Sequence, residues 1–554
     1  MPNHVHLVRV PEDMIGLARA LAATRRRYTG FVNARNRVTG HLFQFRYDQT
    51  DAAHGAGIGR LTQMTDPSGS TDWTYDGNGR VTQKIATVGS QSFATRYSYE
   101  ANTGNLIRQT LPSGKVITLT WTNGQITAIT ADGIPQVTNI GYQAFGGPKT
   151  WTFANGETVG RSYDLDGRIT SDPVDAQISY DLASRITGWT HGNRSILSGS
   201  HTASYDTSDR LTGYTGADGS TFSYRYDATG NRTQQTANGT TITYTIDPAS
   251  NRVTSAGSAP YSYDANGSRT AFGTTRIYTY DAAGRLASYS GNGHNARYQY
   301  NGLGERVAKT VDGVITSFVY DEQGHLIGEY DAAGTVARET VYLGDLPMLV
   351  LSGSTPYYVH ADWRNTPRQL DNAQQQAVWA WDPPPFGGST PNSNPQNLGT
   401  SFTWNARFPG QYWDDESRLF YNYQRTYDPT LGRYLESDPI GLDGGINTYG
   451  YAEGNPLNFT DPSGLQAIPF PPSVVPIPGA PATQASASAQ QDLANRVSRI
   501  IDDALDDFLR QKTYQTYTRY NPTTGQCYSG RTSGYGNPLT NIRNPDDRIS
   551  VSRR

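Results

Sequence analysis

Near the end of a long repetitive stretch, two aspartates stand in matching turns. Asp438 opens Asp-Pro-Ile-Gly and Asp461 opens Asp-Pro-Ser-Gly-Leu. Asp-Pro and Pro-Ser-Gly are ordinary turn formers, and the plainest account of either string is a turn. Brought close together, however, two carboxyl groups cannot both ionise. One keeps its proton and serves as an acid while the other activates water. A guanidinium beside them would hold one carboxylate charged. At the other end of the chain, His4-Val5-His6 alternates, so on a strand both imidazoles face one side and could hold a divalent metal. Cys527 is the only cysteine, and no histidine follows Leu465. A Cys-His nucleophile pair in the tail would need a histidine from elsewhere, and an inert thiol is the simpler account.

The elements that must position these residues are repeats. Tyr-Asp recurs at Tyr47-Asp48, Tyr75-Asp76, Tyr163-Asp164, Tyr180-Asp181, Tyr205-Asp206, Tyr226-Asp227, Tyr263-Asp264, Tyr280-Asp281 and Tyr320-Asp321, usually followed by Gly and then Asn-Arg or Arg-Leu. The cleanest spacing is about 17 to 21 residues, the mark of one supersecondary unit stacked many times. In Phe222, Tyr224 and Tyr226 the alternation predicts a strand with one aromatic face. Asp227 to Asn231 predicts a turn, with Gly230 free to take a positive φ, and the chain then returns. The product is a long antiparallel ribbon of hairpins. Arg232, Arg269, Arg285 and Arg306 are expected to cover the tyrosines or pair with the repeat aspartates.

Composition agrees with this reading and narrows the function classes. Gly contributes 58 residues and Tyr 37, more than Phe, Trp and Met combined, as strands joined by tight turns require. The formal net charge of -3 gives no field that points to nucleic acid or to a membrane surface. One cysteine excludes an internal disulfide framework. No apolar run approaches the roughly 20 residues that span a bilayer. The start, MPNHVHLVRV, lacks the apolar core of a secretory signal, so export is expected to depend on a larger assembly or a further segment.

Tyr-Asp followed by Gly-Asn-Arg or Gly-Arg-Leu resembles the RHS/YD repeats of bacterial polymorphic toxins, toxin-complex C subunits and teneurins. From about Tyr342 the strings YYVHADWRNTPR, RFPGQYWDDESRLFYNYQRTYDPTLGRYLESDPIGLDGG and NTYGYAEGNPLNFTDPSGL resemble the RHS-associated core. The resemblance implies a mainly β fold, in which the ribbon spirals into a β-shell around a C-terminal toxin, whether or not this number of repeats closes it. It also implies self-cleavage after the final leucine of the motif. By position Asp438 and Asp461 match the catalytic aspartates and Arg425 the arginine, which makes Leu465–Gln466 the scissile bond. A tethered bond replaces binding affinity, so a weak site can act once. One residue more than the family pattern separates Gly441 from Asp461, with Gly454 as the candidate insertion. His360, in His-Ala-Asp, is expected to be structural.

Both ends differ from the repeats. MPNHVHLV and RRRYTGFVNARNRVTGHLFQFRY resemble part of the single-tyrosine HUH transposases associated with repeated extragenic palindromes. His4 and His6 match that family's metal pair. The preceding strands and the nucleophile helix are missing, so the segment reads as a non-functional remnant. In the tail, Tyr517, Tyr528 and Arg531 are faintly similar to positions of the GIY-YIG nuclease core, without its first glycine or its glutamate. The expected organisation is therefore 1–46 a transposase-like remnant, 47–341 repeats, 342–465 the RHS-associated core, 466–490 a Pro/Ala/Ser-rich linker, and 491–554 an effector-like tail with short α/β elements. The expected function is a toxin scaffold that encloses and releases its own tail. It needs no cofactor. Its partners would be that tail, a cognate immunity protein and a secretion apparatus, with nucleic acid only if the tail is a nuclease. The protein would be cytoplasmic before export and then secreted or surface-bound. The alternatives are an inactive rearranged fusion and a surface carbohydrate-binding repeat protein.

Overall fold

The computed structural model describes residues 43–144 and 146–469, together with the backbone of three tail strands. His4 and His6, the basic helix predicted from Ala18, the helix predicted over Leu493–Leu509 and most of the linker lie outside the described residues. Residues 43–469 are almost entirely antiparallel β. An 11-stranded sheet runs from Gln44–Tyr47 to Thr158–Gly160, and a 21-stranded sheet from Asp175–Tyr180 to Ala377–Ala380. In both, the strands are hydrogen-bonded in chain order and the first strand does not pair with the last, so neither sheet closes on itself. A four-stranded sheet follows at Tyr412–Asp414, Leu419–Asn422, Arg425–Asp428 and Arg433–Tyr434. The described helical elements are two 3-10 turns, Gly441–Gly444 and Ala452–Gly454, and none of the described helices is long and apolar enough to cross a membrane.

Each repeat residue has a definite task. In the turn after Tyr205, Asp206 Oδ1 accepts the N–H groups of Ser208 and Arg210, and Oδ2 takes Arg210 Nε at 2.8 Å. The same arrangement recurs at Asp76, Asp181 and Asp281. The tyrosine hydroxyl then ties one hairpin to its predecessor. Tyr226 donates to Leu211 O at 2.9 Å and Tyr300 to Leu286 O at 2.8 Å. The arginine paired in one turn lies over the tyrosine of the next: Arg210 stands 4.9 Å from the Tyr226 ring and Arg285 4.7 Å from Tyr300. Aspartate, arginine and tyrosine thus lock turn to turn along the ribbon.

Arg285 does both things expected of it; Arg232, Arg269 and Arg306 cover the repeat tyrosines Tyr224, Tyr261 and Tyr298, but their ion pairs and hydrogen bonds go elsewhere than to the repeat aspartates. They sit one position later, and a shift of one residue turns a strand side chain to the other face. Arg232 lies over Phe386 at 4.0 Å, Arg269 pairs with Asp428 at 2.9 Å, and Arg306 makes a two-pronged contact with Asp414. They thus bind the ribbon to the closing segment as well as covering tyrosines of their own repeats.

The core forms where the ribbon returns alongside itself. Trp73 Nε1 donates to Glu322, Lys84 Nζ to Tyr320 O, Ser113 to Glu339, and Arg161 to Asp362 O, partners 201 to 249 residues apart. Between these coils Val88, Phe93, Ile117, Ile129 and Trp151 pack with Val319, Tyr330, Met348 and Tyr358. Several expected boundaries shift accordingly. Gln44–Tyr47 pairs with Leu61–Asp66, so the repeat sheet takes residues assigned by sequence to the N-terminal segment. Pairing continues through residue 342 without a break. The interruption lies at Ser162–Tyr163 and Ile169–Ser171, a small separate pair.

The tail strands Thr513–Tyr520 and Cys527–Gly534 pair as an antiparallel hairpin, and Arg548–Ser552 pairs on the other edge of Thr513–Tyr520. Tyr517 lies opposite Gly530, Tyr528 opposite Arg519, and Arg531 opposite Thr516.

If the aspartate turn sets ribbon stability, Asp206→Ala frees two turn N–H groups and one guanidinium at once. We expect a loss of about 1–2 kcal/mol, read as a lower urea midpoint with an unchanged slope.

Candidate active site

Asp438, Asp461 and Arg425 come from three different places and meet in the interior. Arg425 begins a central strand of the four-stranded sheet, between Leu419–Asn422 and Arg433–Tyr434. Asp438 follows the last strand of that sheet and opens the turn into Gly441–Gly444, its Oδ1 accepting Ile440 N–H at 2.9 Å. Asp461 stands just after Phe459–Thr460. All three side chains are buried. Arg425 Nη2 lies 2.8 Å from Asp438 Oδ2 and 3.2 Å from Asp461 Oδ2, so one guanidinium nitrogen serves both carboxyl groups.

The bond between Leu465 and Gln466 is held in the same place. Asp461 Oδ1 accepts the N–H of Leu465 at 3.0 Å and that of Gln466 at 3.2 Å. Arg425 Nε donates to Gly464 O, and Asn422 Nδ2 donates to Asp461 O at 2.9 Å. Gly464 takes φ +69° and packs against the Asn422 carbonyl, where a Cβ would collide with it. Leu465 itself is buried. After the bond, Ile468–Pro469 pairs back on Phe459–Thr460. The expected linker therefore does not start free at residue 466; its first residues complete a hairpin around the bond.

Gly444 shows how close the parts lie. A Cβ there would stand against Asp438 Oδ2 and 2.7 Å from Leu465 O. The Asp438 carboxyl and the Leu465 carbonyl thus share one side of a single α-carbon, and only a residue without a side chain leaves them room.

Two carboxyl groups with one cation carry a surplus negative charge in a buried site, and a proton relieves it. Burial lifts the Asp438 carboxyl to about 6. Arg425 and the Ile440 N–H pull it the other way, and the Asp461 charge adds to the rise. Asp461 is surrounded by donors instead: Arg425, Tyr434 Oη at 2.7 Å and the two backbone N–H groups. Burial pushes the Tyr434 hydroxyl far above its ordinary range, so it remains a donor to Asp461. The two carboxyl groups thus sit in unlike surroundings, one among few donors and lifted by burial, the other ringed by hydrogen-bond donors.

Sequence reasoning missed Tyr434, Asn422, Gly444 and Glu436. Tyr434 also lies against the Arg425 guanidinium, 3.7 Å from ring centre to Arg425 Cζ. Burial lifts the Glu436 carboxyl to about 7, and Glu436 accepts Thr426 N–H at 2.7 Å. The signal was present in alternation: 434, 436 and 438 fall two apart in Tyr-Leu-Glu-Ser-Asp. His360 lies between Asp371 at 3.0 Å and Glu157 at 3.5 Å, and these partners lift its imidazole to about 9 against the cost of burial. It is an ion pair joining two coils, as a structural role requires.

Arg425→Met would leave two buried carboxyl groups without a cation and free the Gly464 and Thr448 carbonyls. We expect a loss of about 3–5 kcal/mol, measured by urea denaturation.

The sequence model of the teneurin YD-shell family matches residues 172–456, just over half of the chain, and an RHS-repeat model matches residues 57–91. Among curated proteins, the chain is 28% identical over 259 residues to the tRNA nuclease WapA of Bacillus subtilis, covering 44% of this chain and 11% of that protein. It is 31% identical over 268 residues to the toxin protein Tse5 of Pseudomonas aeruginosa, 39% of this chain and 19% of the relative. It is 30% identical over 230 residues to the double-stranded DNA deaminase toxin A of Burkholderia cenocepacia, 34% and 15% respectively. The chain thus spans less than a fifth of the length of these relatives. Among solved structures, TcdB2-TccC3 superposes with a TM-score of 0.64 at 19% identity, covering 77% of this chain and 26% of the other. That likeness speaks for the fold.

Proposed function

The chain belongs to the teneurin YD-shell family, and on that premise we propose that it is a toxin-type shell scaffold that cuts itself between Leu465 and Gln466 and so frees residues 466–554 as cargo. The observation that carries this reading is the convergence of Asp438, Asp461 and Arg425 around the Leu465–Gln466 bond, with Asp461 accepting the N–H on either side of Leu465. The repeat tyrosines, by contrast, spend their hydroxyls on backbone carbonyls and their ring faces on arginines. They are committed to the scaffold, which weighs against a carbohydrate-binding surface built from them.

In the proposed step Asp438 carries the proton and donates it to the Leu465 carbonyl oxygen. Asp461, which accepts from Arg425 and Tyr434, takes a proton from an attacking water. A carbon–oxygen bond forms, and the tetrahedral centre then collapses. Asp461 passes its proton to the Gln466 nitrogen, the carbon–nitrogen bond breaks, and Asp438 recovers the proton it lent. The products are a carboxylic acid at Leu465 and an amine at Gln466, which exchange one proton to become a carboxylate and an ammonium group. The Arg425 contact with Gly464 O and the Asn422 contact with Asp461 O fix the bond before attack, so positioning is built into the fold.

The tail would be the effector. Nuclease and deaminase relatives supply the classes to test. A cognate immunity protein and a secretion apparatus are the partners such a tail would require. The faint likeness of Tyr517, Tyr528 and Arg531 to a nuclease core makes nucleic acid the first substrate to try. The HUH-like His4 and His6 have no part in this function.

Intact-mass analysis of the expressed chain should give a piece ending at Leu465 and a separate piece beginning at Gln466. Asp438→Asn and Asp461→Asn should each slow the cut by about 10²–10⁴-fold. Gly444→Ala, which touches neither carboxyl chemistry nor a positive φ, should do so by displacing Asp438 from the carbonyl. A single intact mass from the folded wild-type chain would overturn the reading and leave an inert scaffold.

The pH dependence follows from the Asp438 carboxyl at about 6. The acid form is the active one, so the rate should fall as pH rises through 6, by about tenfold per unit beyond it. The full chain refolded from urea into buffers between pH 5 and 8 would report this as release of the tail over time. A rate that climbs across that range would reverse the assigned roles.

A further inference from the structure

A second cluster of titratable groups lies in the shell wall, away from the aspartate pair. Ile186–His191 and Ser200–Tyr205 are neighbouring antiparallel strands, with Trp189 opposite His201. Trp189 and His191 are two residues apart and so lie on one face with His201. Their imidazoles are buried and meet edge to face at 79°. The two Nε2 atoms stand 2.9 Å apart, and Asp382 Oδ2 lies 3.3 Å from His191 Nε2 and 3.4 Å from His201 Nε2.

The outer ring nitrogens are already engaged. His191 Nδ1 is 2.7 Å from Asp175 Oδ1, and His201 Nδ1 is 2.7 Å from Tyr214 Oη. A proton on each Nδ1 satisfies both contacts and leaves an Nε2 lone pair on each ring, aimed at the other and at a carboxylate oxygen. Arg368 holds the second oxygen of Asp382, which fixes Oδ2 in place. The ring of His201 is stacked on Trp189 at 4.5 Å, so it is not free to turn away.

We infer that His191, His201 and Asp382 form a binding site for a divalent transition cation of the zinc class. Three acceptors 2.9 to 3.4 Å apart form a nearly equilateral triangle. A tetrahedral zinc ion with bonds of about 2.0–2.1 Å needs ligand atoms about 3.3 Å apart. A shared proton would join only two of the three. Asp175 and Tyr214 stand where metal-bound histidines find their outer partners, fixing tautomer and ring orientation. The Asp382 side chain is one quarter exposed while both imidazoles are sealed, so the fourth position faces outward, toward water. The site would staple two wall strands to the segment that follows Ala380, about 180 residues later, and so pin the closing region to the ribbon.

The test uses the full chain carrying His4→Ala and His6→Ala, stripped with a chelator and titrated with zinc and, for its spectrum, cobalt. The expected result is one tightly bound ion per chain, a tetrahedral cobalt absorption, and a melting temperature that falls on chelation and returns with zinc. His201→Gln should weaken binding by more than a hundredfold. Asp175→Asn, acting through His191, should weaken it about tenfold to a hundredfold. His294→Gln, on the surface, should leave it unchanged. A folded chelator-treated chain that binds no zinc overturns the proposal and assigns the two imidazoles to a shared proton. Binding that survives His201→Gln but is lost in His360→Gln places the ion with Glu157 and Asp371 and also overturns it.

Discussion

One local interaction organises the chain: an aspartate carboxylate that accepts two backbone N–H groups of its own turn and pairs with the arginine four residues on. That contact fixes the turn, and a fixed turn fixes the register of the next strand. With register set, the tyrosine before the aspartate falls where its hydroxyl meets a carbonyl of the preceding hairpin and, where the preceding turn carries the arginine, its ring meets that arginine. A charge pair, a hydrogen bond and a cation–ring contact are thereby repeated along hundreds of residues. Each is worth little alone. Their sum gives a ribbon that meets itself again 201 to 249 residues on.

The meeting is what makes a core. A two-faced antiparallel ribbon cannot bury its apolar face alone. Here burial comes from partners 201 to 249 residues apart, such as Trp73 with Glu322 and Arg161 with Asp362. The closing segment then fills the remaining space, and the arginines one position out of phase, Arg232, Arg269 and Arg306, reach across to it. Their burial costs desolvation, which Asp428 and Asp414 offset for two of them and aromatic rings for the third. The same side-chain type thus serves the wall in one phase and the closure in the other.

The aspartate pair depends on this closure. Arg425 and Asp438 are carried by the four-stranded sheet and Asp461 by the hairpin that packs on it. The low-polarity surroundings that lift Asp438 to about 6 arise only when those elements are sealed together. A polar site buried in this way costs stability to assemble. It therefore reports on completion of the fold: the Asp438 carboxyl is lifted only once the segment is in place, and the bond between Leu465 and Gln466 is held by the same contacts. The histidine cluster follows the same logic on the wall side, with Asp382 arriving from the end of the long sheet to meet two strands laid down far earlier.

Much was legible in the sequence because it is periodic and local. Tyr-Asp spacing, turn glycines and strand alternation determine an antiparallel ribbon without reference to anything distant, and two Asp-Pro turns near Leu465 mark the aspartates that the structure brings together. The phase of Arg232, Arg269 and Arg306, the true start of the sheet at Gln44, the interruption near Ser162, and the company of Tyr434, Asn422, Gly444 and Glu436 were decided by tertiary structure. These depend on which coil lies beside which, and a repeat that looks the same from its own neighbourhood carries no mark of the partner it meets 200 residues later. His191 and His201 gave no signal for the same reason: ten residues of hairpin separate them, and the carboxylate that completes their triangle comes from the other end of the sheet.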